Sequence, residues 1–291
     1  MMWVYGVKGK KMHAIDLHSL EELKTFSKKF EWFWIDCMEP DANEFQVISE
    51  FLHHEHRILE NIKDGKPFPR YKKLSDCTVL SISVIIFQRD LRIYPIYAVI
   101  NEKKLLTVRN KDLSSPIEYV IQTLQDCISE TEETSPSFIL SELLREVANR
   151  NLDVVMKLRE MIESVEEKAM AKPSRKTVVN MVFTLKRQIA MLYRLLCSEE
   201  QLMSSLKDGF IPNVKMREKC ILSLEDAMDN IARELEFLNS YDSALDGVLR
   251  LQDLSMIHRV EKTLIYLTVI IVIMNVLLIA LELGLFSRSR F

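Results

Sequence analysis

Glycine is scarce in this chain, with six in 291 residues. None belongs to a phosphate-cradling loop, because neither G-x-G-x-x-G nor G-x-x-x-x-G-K-[ST] occurs. A nucleophile elbow is missing too, as are H-E-x-x-H and any Cys/His spacing suited to zinc. These gaps point away from an enzyme and from an organic cofactor. The five cysteines (Cys37, Cys77, Cys127, Cys197, Cys220) are far apart and show no C-x-x-C. They suit a reduced, cytosolic setting and give neither a disulfide framework nor a metal site. An excess of one charge is also lacking. A net charge of −3, with 28% charged and 48% hydrophobic residues, excludes a nucleic-acid binder and a disordered tail. The opening MMWVYGVKGKKMH has no apolar core, so no signal peptide is expected there.

Proline is missing after Pro212, and residues 214–283 hold one glycine, Gly247. A continuous helix of that length would reach about 105 Å. Within it Ile221, Leu224, Met228, Ile231, Leu235, Leu238, Leu245 and Leu249 follow steps of three and four, with one gap at Asp242. This is an a/d seam that needs partner helices, from its own chain, from neighbours, or from both.

The same helix ends in the chain's long hydrophobic run. Residues 264–281, LIYLTVIIVIMNVLLIAL, carry no charge and reach about 27 Å, enough to cross a hydrocarbon core. Glu261, Thr268, Asn275 and Glu282 recur every seven residues, so they share one helix face with about 20° of drift per step. Several copies around an axis would account for such a stripe; a single Asn acting as interhelical glue is the plainer alternative. With the run near the C-terminus, a single-pass protein is expected, its N-terminal part cytoplasmic. The flanking Arg259, Lys262, Arg288 and Arg290 balance and set no orientation.

The chain changes character near residue 130. Before it, residues 2–7, 30–37, 78–87, 92–101 and 104–109 are rich in Val, Ile, Phe, Tyr and Trp and read as strands. Residues 20–29 and 43–52 have helical spacing, and 64–70 (DGKPFPR) is a loop. After it, 137–171 and 174–206 are long amphipathic helices, closed by Asp208-Gly209 and Pro212. The fold class is α+β. The expected domains are a mixed-sheet α/β domain at 1–130, paired long helices at 131–212, a stalk helix at 213–261, a transmembrane helix at 262–286 and a tail at 287–291.

This order resembles the CorA-type magnesium transporters, and local text agrees with it. WFWIDCMEP, FLHHEHRILENI, KPFPRYKKLSDCTVLSIS and KKLLTVRN are similar, in that order, to the family's cytosolic strands, helix and loop. HRVEKTL is similar to its approach to the first membrane helix. The resemblance implies a homo-oligomer, a pentamer, passing magnesium or a related divalent cation along an axial pore in the cell membrane. It puts His258, Glu261, Val272 and Asn275 at pore-lining positions, and the stripe adds Thr268 and Glu282. Glu261 and Glu282 would form acidic rings at the mouths, unless Glu261 merely pairs with Lys262 or Arg259. For regulatory Mg2+ the resemblance implies Glu225, Asp226 and Asp229, with Asp90 as a partner; their oxygens suit that ion. His53, His54 and His56 are a weaker metal candidate in a segment that is structural in the family.

The chain departs from the family at the outer end. Glu282-Leu283-Gly284 stands where the Gly-Met-Asn signature is expected, and Met274-Asn275 lies too early to replace it. The second membrane helix is then expected to be missing. An alternative function follows: a tail-anchored, non-conducting scaffold or regulator, working with a full-length relative.

Overall fold

The computed structural model describes residues 1–8, 11–17, 19–51, 59–60, 62, 69–87, 90–130, 134–171 and 176–282. The chain divides into two units, one of Met1–Arg159 with Gln188–Ser240 and one of Glu160–Arg187 with Tyr241–Phe291.

The first unit is built on a seven-stranded sheet. Its strands are β1 (Met2–Lys8), β2 (Lys11–Asp16), β3 (Phe33–Met38), β4 (Arg70–Lys73), β5 (Thr78–Phe87), β6 (Leu91–Ile100) and β7 (Lys104–Arg109). They lie in the order β2-β1-β3-β7-β6-β5-β4. Among the described strands only β3 and β7 run parallel; the other neighbours are antiparallel. The sheet is thus mixed, as the sequence predicts. Its middle is dry: residues 78–85 of β5 are all buried, so that strand is covered on both faces. The edges differ. β4 is exposed at every residue and β2 at most of them, and neither was expected from the sequence. KMHAID and RYKK lack the apolar alternation that marks a half-buried strand, and charged edges discourage pairing with another sheet.

Helices α1 (Leu20–Ser27) and α2 (Ala42–Phe51) bury Leu23, Phe26 and Ile48 in a core with Val4, Ile35, Val79, Val99 and Leu106 of the sheet. The turn before α2 works as a capping box. Asp41 Oδ1 accepts the N–H groups of Asn43 and Glu44 at 2.8 Å, and Glu44 Oε2 accepts that of Asp41 at 2.9 Å. Gly6 on β1 is needed for closeness, since a Cβ there would meet Phe30 at 2.7 Å and Phe26 at 2.8 Å.

Four more helices follow: α3 (Ser114–Ser129), α4 (Pro136–Ala171), α5 (Lys176–Lys207) and α6 (Glu218–Glu282). α3 was not expected, although Ile117, Val120, Leu124, Cys127 and Ile128 are its buried face at helical spacing. α5 ends in a Schellman motif, with Gly209 at φ +73° and the Phe210 N–H donating to the Ser205 carbonyl at 3.0 Å. α6 runs unbroken for 65 residues.

Candidate ion pathway and metal-binding residues

The buried line of α6 is Cys220, Leu224, Ala227, Ile231, Glu234, Leu238, Tyr241, Leu245, Val248 and Gln252. Its steps alternate four and three without a gap. Four of the expected seam residues (Leu224, Ile231, Leu238, Leu245) lie on it, while Ile221, Met228, Leu235 and Leu249 stand one position too far and are only partly buried. The true line includes polar Glu234, Tyr241 and Gln252, which an apolar pattern passes over. The apparent gap at Asp242 arises because Tyr241 holds that place. Asp242 flanks the seam in the second unit, where Lys186 of α5 donates to Asp242 Oδ1 at 2.7 Å and to Asp246 Oδ1 at 2.8 Å. Burial lowers the Lys186 pKa, but these two charge-assisted bonds outweigh it and the net direction is up.

Beyond Gln252, α6 is exposed almost throughout. Among the described residues it is the one helix long and apolar enough to cross a membrane. The stripe has a fixed direction relative to the seam. At about 100° per residue, Glu261 lies about 190° around the axis from the mid-line of Leu245 and Val248, Thr268 about 170° and Asn275 about 150°. The polar positions therefore sit opposite the face that the second unit's own helices cover. His258 and Glu261 are neighbours on this exposed surface, with Nδ1 and Oε2 3.5 Å apart. Thr268 Oγ1 donates to the Leu264 carbonyl at 2.9 Å, which satisfies its proton inside the helix and leaves the oxygen to accept. Val272 and Asn275 are exposed on the same helix. Glu282 closes α6, and its side chain lies outside the described residues.

The expected regulatory carboxylates lie on two elements. Glu225, Asp226 and Asp229 are exposed on α6, and Asp90 is exposed at the turn before β6. Glu225 Oε1 is 3.4 Å from Lys207 Nζ. Among the described residues no three His, Cys, Asp or Glu converge on one point, so these four do not make a complete ligand set within one chain. His53, His54 and His56 lie outside the described residues.

Sequence reasoning passed over two other polar arrangements. One is the Lys186 clasp, which the break in apolar spacing at Asp242 could have signalled. The other is a buried group around Glu199 and Glu234, on α5 and α6.

Comparison with known proteins agrees with this architecture. The family model described as CorA-like Mg2+ transporter protein matches residues 30–277. The cobalt/magnesium transport protein CorA of Methanocaldococcus jannaschii is 21% identical over 245 residues, covering 83% of this chain and 76% of its own. The complete structure of the CorA magnesium transporter from that organism superimposes with a TM-score of 0.76 at 16% identity, over 100% of this chain and 87% of its own. The full-length CmaX protein gives 0.71 at 13% identity, over 92% and 81%. The ZntB cytoplasmic domain from Vibrio parahaemolyticus gives 0.64 at 12%, over 88% and 98%. A mixed-sheet unit, a pair of long helices and one helix running on into an apolar segment recur across a match of this extent, and this chain belongs to the CorA-like Mg2+ transporter family.

Proposed function

We propose that this chain forms a homo-oligomer, a pentamer, that passes magnesium or a related divalent cation across the cell membrane, with its N-terminal domain in the cytoplasm. The observation that carries this reading is the opposition of faces on α6. One face is covered by the chain's own helices; the other bears Glu261, Thr268 and Asn275 along an apolar, lipid-length segment. Copies arranged around an axis would turn that second face inward. His258, Glu261, Thr268, Val272, Asn275 and Glu282 would then line the path. Carboxylates at its ends would draw cations in, and neutral oxygens between them would bond to the waters of a hydrated ion. Asp90, Glu225, Asp226 and Asp229 would bind regulatory Mg2+ only where two copies meet.

Glu282-Leu283-Gly284, in place of Gly-Met-Asn, favours a second reading: a non-conducting scaffold or regulator that joins a full-length relative. Ion flux into proteoliposomes of the purified protein, with magnesium, cobalt and nickel, separates the two. Flux equal to that of empty vesicles selects the scaffold. A monomeric mass in mild detergent would remove the pore altogether.

A further inference from the structure

Glu199 on α5, Glu234 on α6 and Asn151 on α4 are each fully buried in the first unit. Glu199 Oε1 accepts the Ser83 N–H of β5 at 3.3 Å, and Oε2 accepts Asn151 Nδ2 at 3.0 Å. Among the described residues, both carboxyl oxygens of Glu234 and the Asn151 Oδ1 have no hydrogen-bond partner. Three acceptors thus lie buried without a donor, and each such group carries a large desolvation cost. Glu234 is near enough to Glu199 to feel its charge.

The charged surroundings do not resolve this. β5 and α4 present neutral groups, the Ser83 N–H and the Asn151 amide. α5 presents Glu199, and α6 presents Glu234 with Arg233 beside it. Among the described residues Arg233 is the cation that acts on Glu234, and it is exposed, next to Asn230; none acts on Glu199. Two ionised carboxylates here would repel one another in a low dielectric with little compensation. A proton on one oxygen removes a charge and turns an unpartnered acceptor into a donor.

We propose that Glu199, Glu234 and Asn151 form a buried proton-binding site, in which Glu234 is held as a carboxylic acid that donates into the Asn151–Glu199 pair. Burial is the main cause pushing Glu199 up to about 8 and Glu234 up to about 9, and Glu199 raises Glu234 further. The two carboxyls titrate as a coupled pair. Ionising both carboxyls leaves two buried negative charges on α5 and α6, so alkaline conditions loosen the hold of α5 on α6. The ligand is the proton itself, and the site works whether or not the chain conducts.

Infrared spectroscopy of the full chain in detergent tests this, because un-ionised and ionised carboxyls absorb separately. At pH 7 the wild type should show a carboxylic-acid C=O band that exchanges slowly with deuterium and fades as the pH approaches 9. Glu234→Gln should weaken the band and leave a remainder that fades near pH 8, and Glu199→Gln should weaken it and shift the midpoint of the Glu234 share to lower pH. Absence of the band at pH 7, or a band unchanged in both variants, overturns the proposal. Loss of the band on adding magnesium chloride at constant pH would also overturn it, assigning the oxygens to a buried cation instead. If a variant loses its near-ultraviolet circular dichroism, the wild-type titration and its deuterium exchange still decide.

Discussion

Arg109 holds Asp36 from the adjacent parallel strand, donating Nε and Nη2 to Oδ2 at 3.1 and 2.9 Å. Thr107 Oγ1 donates to the other oxygen, Oδ1, at 2.7 Å, and Trp34 Nε1 donates to Thr107 at 3.0 Å. The ion pair is nearly closed to water, with side-chain exposures of 8% and 2%. It secures the β3–β7 junction, where the two antiparallel halves of the sheet join.

Breaking this pair from one side leaves a buried charge alone. Arg109→Met should lower stability by about 3–5 kcal/mol. Chemical denaturation of the full chain in detergent measures it, and a loss below about 1 kcal/mol would mean that water reaches Asp36.

Two glycines give opposite expectations for one added methyl group. Gly6→Ala forces a Cβ against Phe30 and Phe26 and should cost about 1–3 kcal/mol. Gly247→Ala, inside α6 with nothing within 4 Å of the new Cβ, should stabilise by about 0.4–1 kcal/mol. Thermal melts of the two variants, compared with wild type, should shift in opposite directions.

Glu199 and Glu234 also set a pH dependence of stability. Their folded pKa values, about 8 and about 9, lie above the ordinary 4.5. Between those limits the folded state keeps protons that the unfolded state has released. Stability therefore falls as pH rises from about 4.5 to about 8–9. Glu234→Gln should flatten the slope and make the protein more stable than wild type at pH 9. Parallel slopes for wild type and variant between pH 5.5 and 8 would refute the linkage.

In the membrane segment, Asn275→Leu keeps the branched side-chain shape but removes the polar amide. A water-lined axis predicts that ion flux falls while the oligomer survives. Interhelical glue predicts that the oligomer loosens by about 0.6–2 kcal/mol per bond. Val276→Leu, about 100° around the helix, is the control. If the Asn275 and Val276 variants behave alike in flux and in oligomer stability, the seven-residue spacing is an accident of composition.

What could be read from the sequence followed from what periodicity reports. Strands β3, β5 and β7 show as apolar runs because burial there is continuous, and the long helices show through apolar residues recurring at helical spacing. β2 and β4 escape because edge strands are selected for exposure, and KMHAID and RYKK resemble loop text. The α6 seam is found one position off because hydrophobicity scores Met228 and Leu235 above their buried neighbours Ala227 and Glu234. Volume and burial disagree with polarity at those two positions. The polar stripe was legible because its spacing is a property of the helix alone. Its relation to the chain's other helices depends on tertiary packing.

That relation makes the short stretch between Gln252 and His258 a register. The seam and the Lys186 clasp hold α6 at one azimuth, and the helix transmits this azimuth rigidly to Glu261, Thr268 and Asn275. Inserting a single alanine between Gln252 and His258 would leave every seam contact in place and delete no apolar residue. It would nevertheless swing the three polar side chains by about 100° around the helix axis, whereas seven inserted residues would return them to within about 20°. Where the stripe lines an axis, as proposed, the residue count between seam and stripe is constrained more tightly than the identity of any residue within it.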